Sequence, residues 1–177
     1  MIARSLFAMS AILLATQVSA AEPTTGPLIP DYGRSTAVED SDFRLPADHD
    51  YRVVWEITGY NDGPDGVNRN IDRVARFLNL HAKNGVPREK MHLAVVVHGA
   101  ALASMTHDEA YQELNGIDNP TLELVERLGA AGVQLYVCGQ SMAFRGWGKD
   151  MLASPVKLAP SAMTMMHLLQ SQGYTRQ

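Results

Sequence analysis

Five consecutive apolar residues, Leu93-Ala94-Val95-Val96-Val97, run from His92 to the pair His98-Gly99. With no polar residue at alternate positions, a strand made from this run has to be covered on both faces, which is the condition inside a parallel sheet flanked by helices. Two other segments have a related character. Tyr51-Arg52-Val53-Val54-Trp55-Glu56-Ile57-Thr58 is β-rich and ends in the turn cluster from Gly59 to Gly66, and Val133 to Cys138 is broken by Gly139. Between the first two runs, Val67, Ile71, Val74 and Leu78 recur at helical spacing until Asn84-Gly85. Between the second and third, a short helix over 100–104 and a polar segment over 109–114 are expected. A helix opened by Asn119-Pro120 then carries Leu122, Val125 and Leu128 on one face. Val156-Lys157-Leu158 reads as a short edge strand, and Pro160-Ser161 opens a last helix to about Gln172. The alternation predicts an α/β domain over 51–177, three layers with a mainly parallel sheet and helices on both faces.

Right-handed crossovers place the C-terminal ends of all strands on one edge, so Thr58, His98, Cys138 and Ala159 are expected to share a rim. In a flavodoxin-like order, 2-1-3-4, the ligand crevice would lie between strands one and three. Cys138 closes the third strand, and Gly139-Gln140-Ser141 follows at a helix start, where backbone N–H groups stabilise a thiolate. Gly139 also leaves the approach open, Arg145 adds positive charge and Trp147 is placed to shield the site. The competing reading is a core cysteine that fills a strand end. His98, before Gly99 on the neighbouring strand, reads as base, orienting group or ligand, or as a strand-end histidine satisfied by local backbone.

The ends of the chain are different in kind. Met1 to Ala20 has a basic start (Arg4), an apolar stretch from Leu6 to Ala15 and the small-residue end Val18-Ser19-Ala20. This is the signal-peptide pattern, with cleavage expected after Ala20 and a periplasmic or secreted location. No other segment is apolar enough to span a bilayer. Residues 21–50 hold Pro23, Pro27, Pro30 and Pro46 and read as an extended arm, with Leu28, Ile29, Tyr32, Phe43 and Leu45 as anchors for packing on the body or on a neighbouring subunit.

Composition narrows the function. Fifteen Lys and Arg against 19 Asp and Glu exclude the basic surface of a general nucleic-acid binder. One cysteine excludes an internal disulfide or a Cys-rich zinc site. There is no GxGxxG after a strand, no P-loop and no GxSxG elbow, and no cofactor is expected. His98, His107 and Cys138, or Met163, Met166 and His167, motivate an alternative: a non-catalytic periplasmic module binding a ligand, copper or zinc. A purely structural interaction protein is a third possibility, in which Cys138 has no chemical role.

Three blocks resemble the DsrE-like (DsrE/DsrF/DsrH) family: Ala94-Val95-Val96-Val97-His98-Gly99, Gly132 to Ser141, and Pro160-Ser161-Ala162-Met163-Thr164 with Leu168, Gln170, Gly173 and Tyr174 beyond it. The similarity runs from about Tyr51 to Tyr174. It implies a flavodoxin-like α/β/α fold, homo-oligomers (trimers or hexamers) and, in the sulfur-relay members, a cysteine after a central strand that carries sulfur as a persulfide between donor and acceptor proteins. Cys138 falls on that position. Relay members are cytoplasmic, whereas this chain begins with a signal-like segment and a proline-rich arm.

Overall fold

The apolar run becomes β2 (Met91–Val97), which pairs in parallel with β1 (Tyr51–Ile57) on one side and β3 (Gln134–Cys138) on the other. The computed structural model describes residues 22–60 and 63–177; the signal-like segment 1–20 and Asn61-Asp62 of the expected turn lie outside the described residues. β4 (Val156–Ala159) adds to β3 at one edge, and β5 (Thr175–Arg176) adds to β1 at the other, both in parallel. The order is β4-β3-β2-β1-β5.

Among the described residues, five α-helices connect the strands: α1 (Arg69–Lys83), α2 (Asp108–Asn115), α3 (Leu122–Ala130), α4 (Gly139–Phe144) and α5 (Ala162–Ser171). α1, α2 and α5 start where a side chain relieves unpaired N–H groups. Asn68 accepts from Asn70 N–H at the start of α1, and Ser161 Oγ accepts from Thr164 N–H at 3.1 Å at the start of α5.

Alternation along the strands sorts the interior into two layers. Trp55, Ile57, Leu93, Val95, Leu135 and Val137 face one way and meet Ile71, Val74 and Leu78 of α1 and Leu124 and Leu128 of α3. Val54, Ala94, Val96 and Cys138 face the other way and meet Ala162, Met166 and Leu169 of α5. Each of the fully buried Leu, Ile or Val side chains contributes about 1.5–3 kcal/mol, so the first layer holds most of the stability.

The chain advances steadily from β1 to β4, so right-handed crossovers stack α1 to α4 on one face; the return from β4 to β5 reverses direction and puts α5 on the other. The order 2-1-3-4, with a crevice between strands one and three, is therefore not the one adopted. Strand two adds beside β1 on the side from which the sheet keeps growing, and the far side of β1 is left for β5. The connections that leave adjacent strands toward opposite faces are those after β3 and β4, so the topological switch point falls there.

Part of the arm is not extended. Thr24 and Ser35 form an antiparallel bridge, closing residues 24–35 into a loop that turns through Gly26, Asp31 and Gly33 with positive φ. Ile29 is 1% exposed and belongs to the first core layer. Asn79 of α1 is fully buried beneath the loop: its Oδ1 accepts from the N–H groups of Leu28 and Ile29, and its Nδ2 donates to the carbonyls of Ile29, Tyr32 and Gly33. A side-chain amide thus replaces the strand partner that this backbone lacks.

Candidate functional site at the end of the third strand

Cys138 is the last residue of β3, paired with Ala159 of β4, and is 5% exposed. Chain direction reverses on both sides of it: α4 begins at Gly139 and α5 at Ala162, and the two diverge to opposite faces. This is the switch-point geometry in which open α/β sheets bind ligands.

Burial pushes the Cys138 thiol up, but hydrogen bonds outweigh it. The N–H and hydroxyl of Ser141 and the N–H groups of Ala162 and Gln140 act on the sulfur, and its pKa lies below the ordinary thiol value. Two separate segments therefore supply the donors. They meet because Gly139 lets the backbones touch: a Cβ there would stand 2.7 Å from the Ala159 carbonyl oxygen. Gln140 reinforces the junction, its Nε2 donating to the Pro160 carbonyl at 3.5 Å.

The other residues singled out from the sequence divide into those at the rim and those apart from it. His98 follows Val97, the partner of Val137, so it and Cys138 are successive to a paired couple on adjacent strands. Its Nε2 lies 3.0 Å from Glu56 Oε1, and Glu56 also pairs with Arg176. Gly99 begins a 3-10 turn (Gly99–Met105) packed against the Thr58 carbonyl. Arg145 Nη1 donates to the Ser141 carbonyl at 3.1 Å and its guanidinium lies 5.7 Å from the Trp147 ring centre. Trp147 itself packs on the first core layer, while Cys138 belongs to the second, so the pair brackets α4 rather than roofing the sulfur.

The metal candidates are scattered among local duties. His107 caps α2, accepting from Ala110 N–H at 3.2 Å, with Nε2 3.0 Å from the Asp150 carbonyl. Met166 is buried in the second layer, whereas Met163 is 82% exposed and His167 is on the surface. Among the described residues no three His, Cys, Asp or Glu side chains are grouped to hold a metal ion.

Two contributors escaped the sequence reading. Ala162 N–H comes from 24 residues beyond the cysteine, and no side chain advertises it. Glu56 carried a usable signal, because a carboxylate within a strand flanked by buried Trp55 and Ile57 calls for a partner.

A model of a family described as DsrE/DsrF-like matches residues 58–175. Among solved structures, the protein of unknown function MTH1491 from Methanobacterium thermoautotrophicum superposes with a TM-score of 0.55 at 22% identity, over 72% of this chain and 98% of that one. At that identity the likeness speaks for the fold. A search among curated proteins gives no significant match.

Proposed function

The chain belongs to the DsrE/DsrF-like family, and from that premise we propose that it is an exported sulfur carrier that holds sulfane sulfur on Cys138. The supporting observation is the donor set around the sulfur, drawn from the starts of α4 and α5, which favours the thiolate over the thiol. The Cys138 thiolate attacks the terminal sulfur of a persulfide or thiosulfonate donor. An S–S bond to Cys138 forms, the donor's S–S bond breaks, and the donor leaves as its thiolate or sulfinate. An acceptor thiolate repeats the step on the loaded cysteine, so no net oxidation is required. The same donors serve the persulfide anion, and a chain with one cysteine has no second thiol to resolve it as an internal disulfide. His98, held by Glu56 at the end of the adjacent strand, is the supporting group proposed for the rim.

Intact mass spectrometry after incubation with a polysulfide or thiosulfonate tests this. Wild type is expected to gain one sulfur, removable by mild reductant, and Cys138→Ser none. An unmodified wild type whose cysteine also resists alkylation until denatured would mark Cys138 as a core residue and end the proposal.

The carrier is further proposed to work as a homo-oligomer, a trimer in the first instance. Phe144 of α4 and Met163 of α5 are 90% and 82% exposed on the two helices that flank the switch point, a use of large apolar side chains that subunit contact explains. Light scattering at micromolar concentration is expected to give about three times the chain mass; a clean monomer counts against assembly.

A further inference from the structure

The clamped arm builds a second cleft, at the opposite side of the sheet from Cys138. It encloses about 650 Å³ between residues 31–34 and α1, within the range of small-molecule sites. Four arginines line it: Arg34 from the arm and Arg69, Arg73 and Arg76 at helical spacing along one side of α1. Among the described residues, Arg34, Arg73 and Arg76 have neither hydrogen-bond nor ion-pair partners. The cleft also holds two acidic residues with contacts of their own, which leaves four arginines against two carboxylates. Asp72 Oδ1 accepts from Gly33 N–H at 2.7 Å, and Asp31 lies 3.4 Å from Arg127.

Arg73 and Arg76, three residues apart on α1, repel each other, and Asp72, four residues before Arg76, offsets only part of that charge. The arrangement is also held in place. Gly33 packs so closely on α1 that a Cβ would stand 2.3 Å from Ala75 and Arg76 backbone atoms, and Asn79 fixes the residues before it. Arg34 is thereby set opposite Arg73 and Arg76 in a chain whose acidic residues outnumber its basic ones.

We infer that this cleft is a binding site for a small, multiply charged oxyanion of the phosphate or sulfate type. Guanidinium groups give such anions charge-assisted, bidentate hydrogen bonds, and a concave wall lets groups from two segments converge on one ligand. The site is independent of the sulfur-carrier reading: it shares no residue with the Cys138 rim.

Isothermal titration of the purified chain with pyrophosphate, inorganic sulfate and thiosulfate tests it, with thermal unfolding run alongside to show that each variant folds. Wild type is expected to bind at least one of the three saturably, with affinity falling as sodium chloride is added. Arg73→Gln with Arg76→Gln should weaken binding by roughly tenfold or more, and Arg34→Gln should weaken it from the arm side. Lys149→Gln with Lys157→Gln removes the same net charge outside the cleft and should leave binding within about twofold of wild type. Absence of saturable binding at millimolar anion, or equal weakening by the lysine pair, would overturn the site.

Discussion

Replacing Asn79 with alanine is expected to lower unfolding free energy by roughly 2–4 kcal/mol, the range for removing a buried polar hub. The substitution takes away both the acceptor for Leu28 and Ile29 N–H and the donor for three arm carbonyls. The arm then has two options. It stays docked with those groups unpaired, each at a cost of about 1–3 kcal/mol, or it peels away and exposes Ile29. Peeling caps the loss, because water then satisfies the backbone. Urea denaturation reads the first outcome as a shifted midpoint, and limited proteolysis within 22–35 reads the second. Asn79→Asp separates donor from acceptor: it keeps an oxygen for the two N–H groups, sets a carboxylate against the carbonyls, and should be destabilised as well. Gly33→Ala should release the same loop by a different route, since φ is +61° there and the new methyl meets α1 backbone. An Asn79→Ala protein with wild-type midpoint and wild-type protease resistance would show that the arm is held by its apolar contacts alone.

That clamp marks a boundary of what could be read from the chain. Of the expected apolar anchors, Leu28, Ile29, Tyr32 and Leu45 pack on the body and Phe43 is 70% exposed, while Asn79 sits among helix residues as an unremarkable amide and its five partners are 46–51 residues away. The strands that carry long apolar runs announced themselves because burial on both faces leaves no polar positions. β5 did not: Thr175–Arg176 is two exposed residues, stabilised as a strand only by the edge of β1. Strand order was equally hidden, since every parallel order uses the same local pattern and only the direction of each crossover distinguishes them. The position of Cys138 survives that difference for a physical reason. Any strand end on the C-terminal rim lies near some helix start, and here reversal between β3 and β4 supplies two starts rather than one.

The most telling change at that junction is Gly139→Ala. A methyl at 139 would lie 2.7 Å from the Ala159 oxygen and 3.3 Å from the Pro160 oxygen, both backbone, so no side-chain rotation relieves the contact. The ends of β3 and β4 must part, and Ala162 N–H moves away from Cys138 Sγ with them. The thiolate then loses a donor while burial, which opposes ionisation, remains. A hydrogen bond to a charged group is worth about 1.5–3 kcal/mol at best, so losing this donor should move the thiol pKa upward. The sign follows from the direction in wild type: the folded protein holds the thiol below its ordinary value, so losing a donor moves it back up. Iodoacetamide reaction rates measured from pH 6 to 10 (roughly spanning the ordinary thiol range) would show the midpoint displaced upward, with sulfur loading at neutral pH reduced severalfold. Ser141→Ala removes the hydroxyl, a larger contributor than the Ala162 N–H, and keeps its own N–H, so it should give an upward shift at least as large in a protein with an intact β3–β4 contact. A folded Gly139→Ala variant that alkylates with the wild-type pH profile would mean that the meeting of α4 and α5 does not set the character of the thiol.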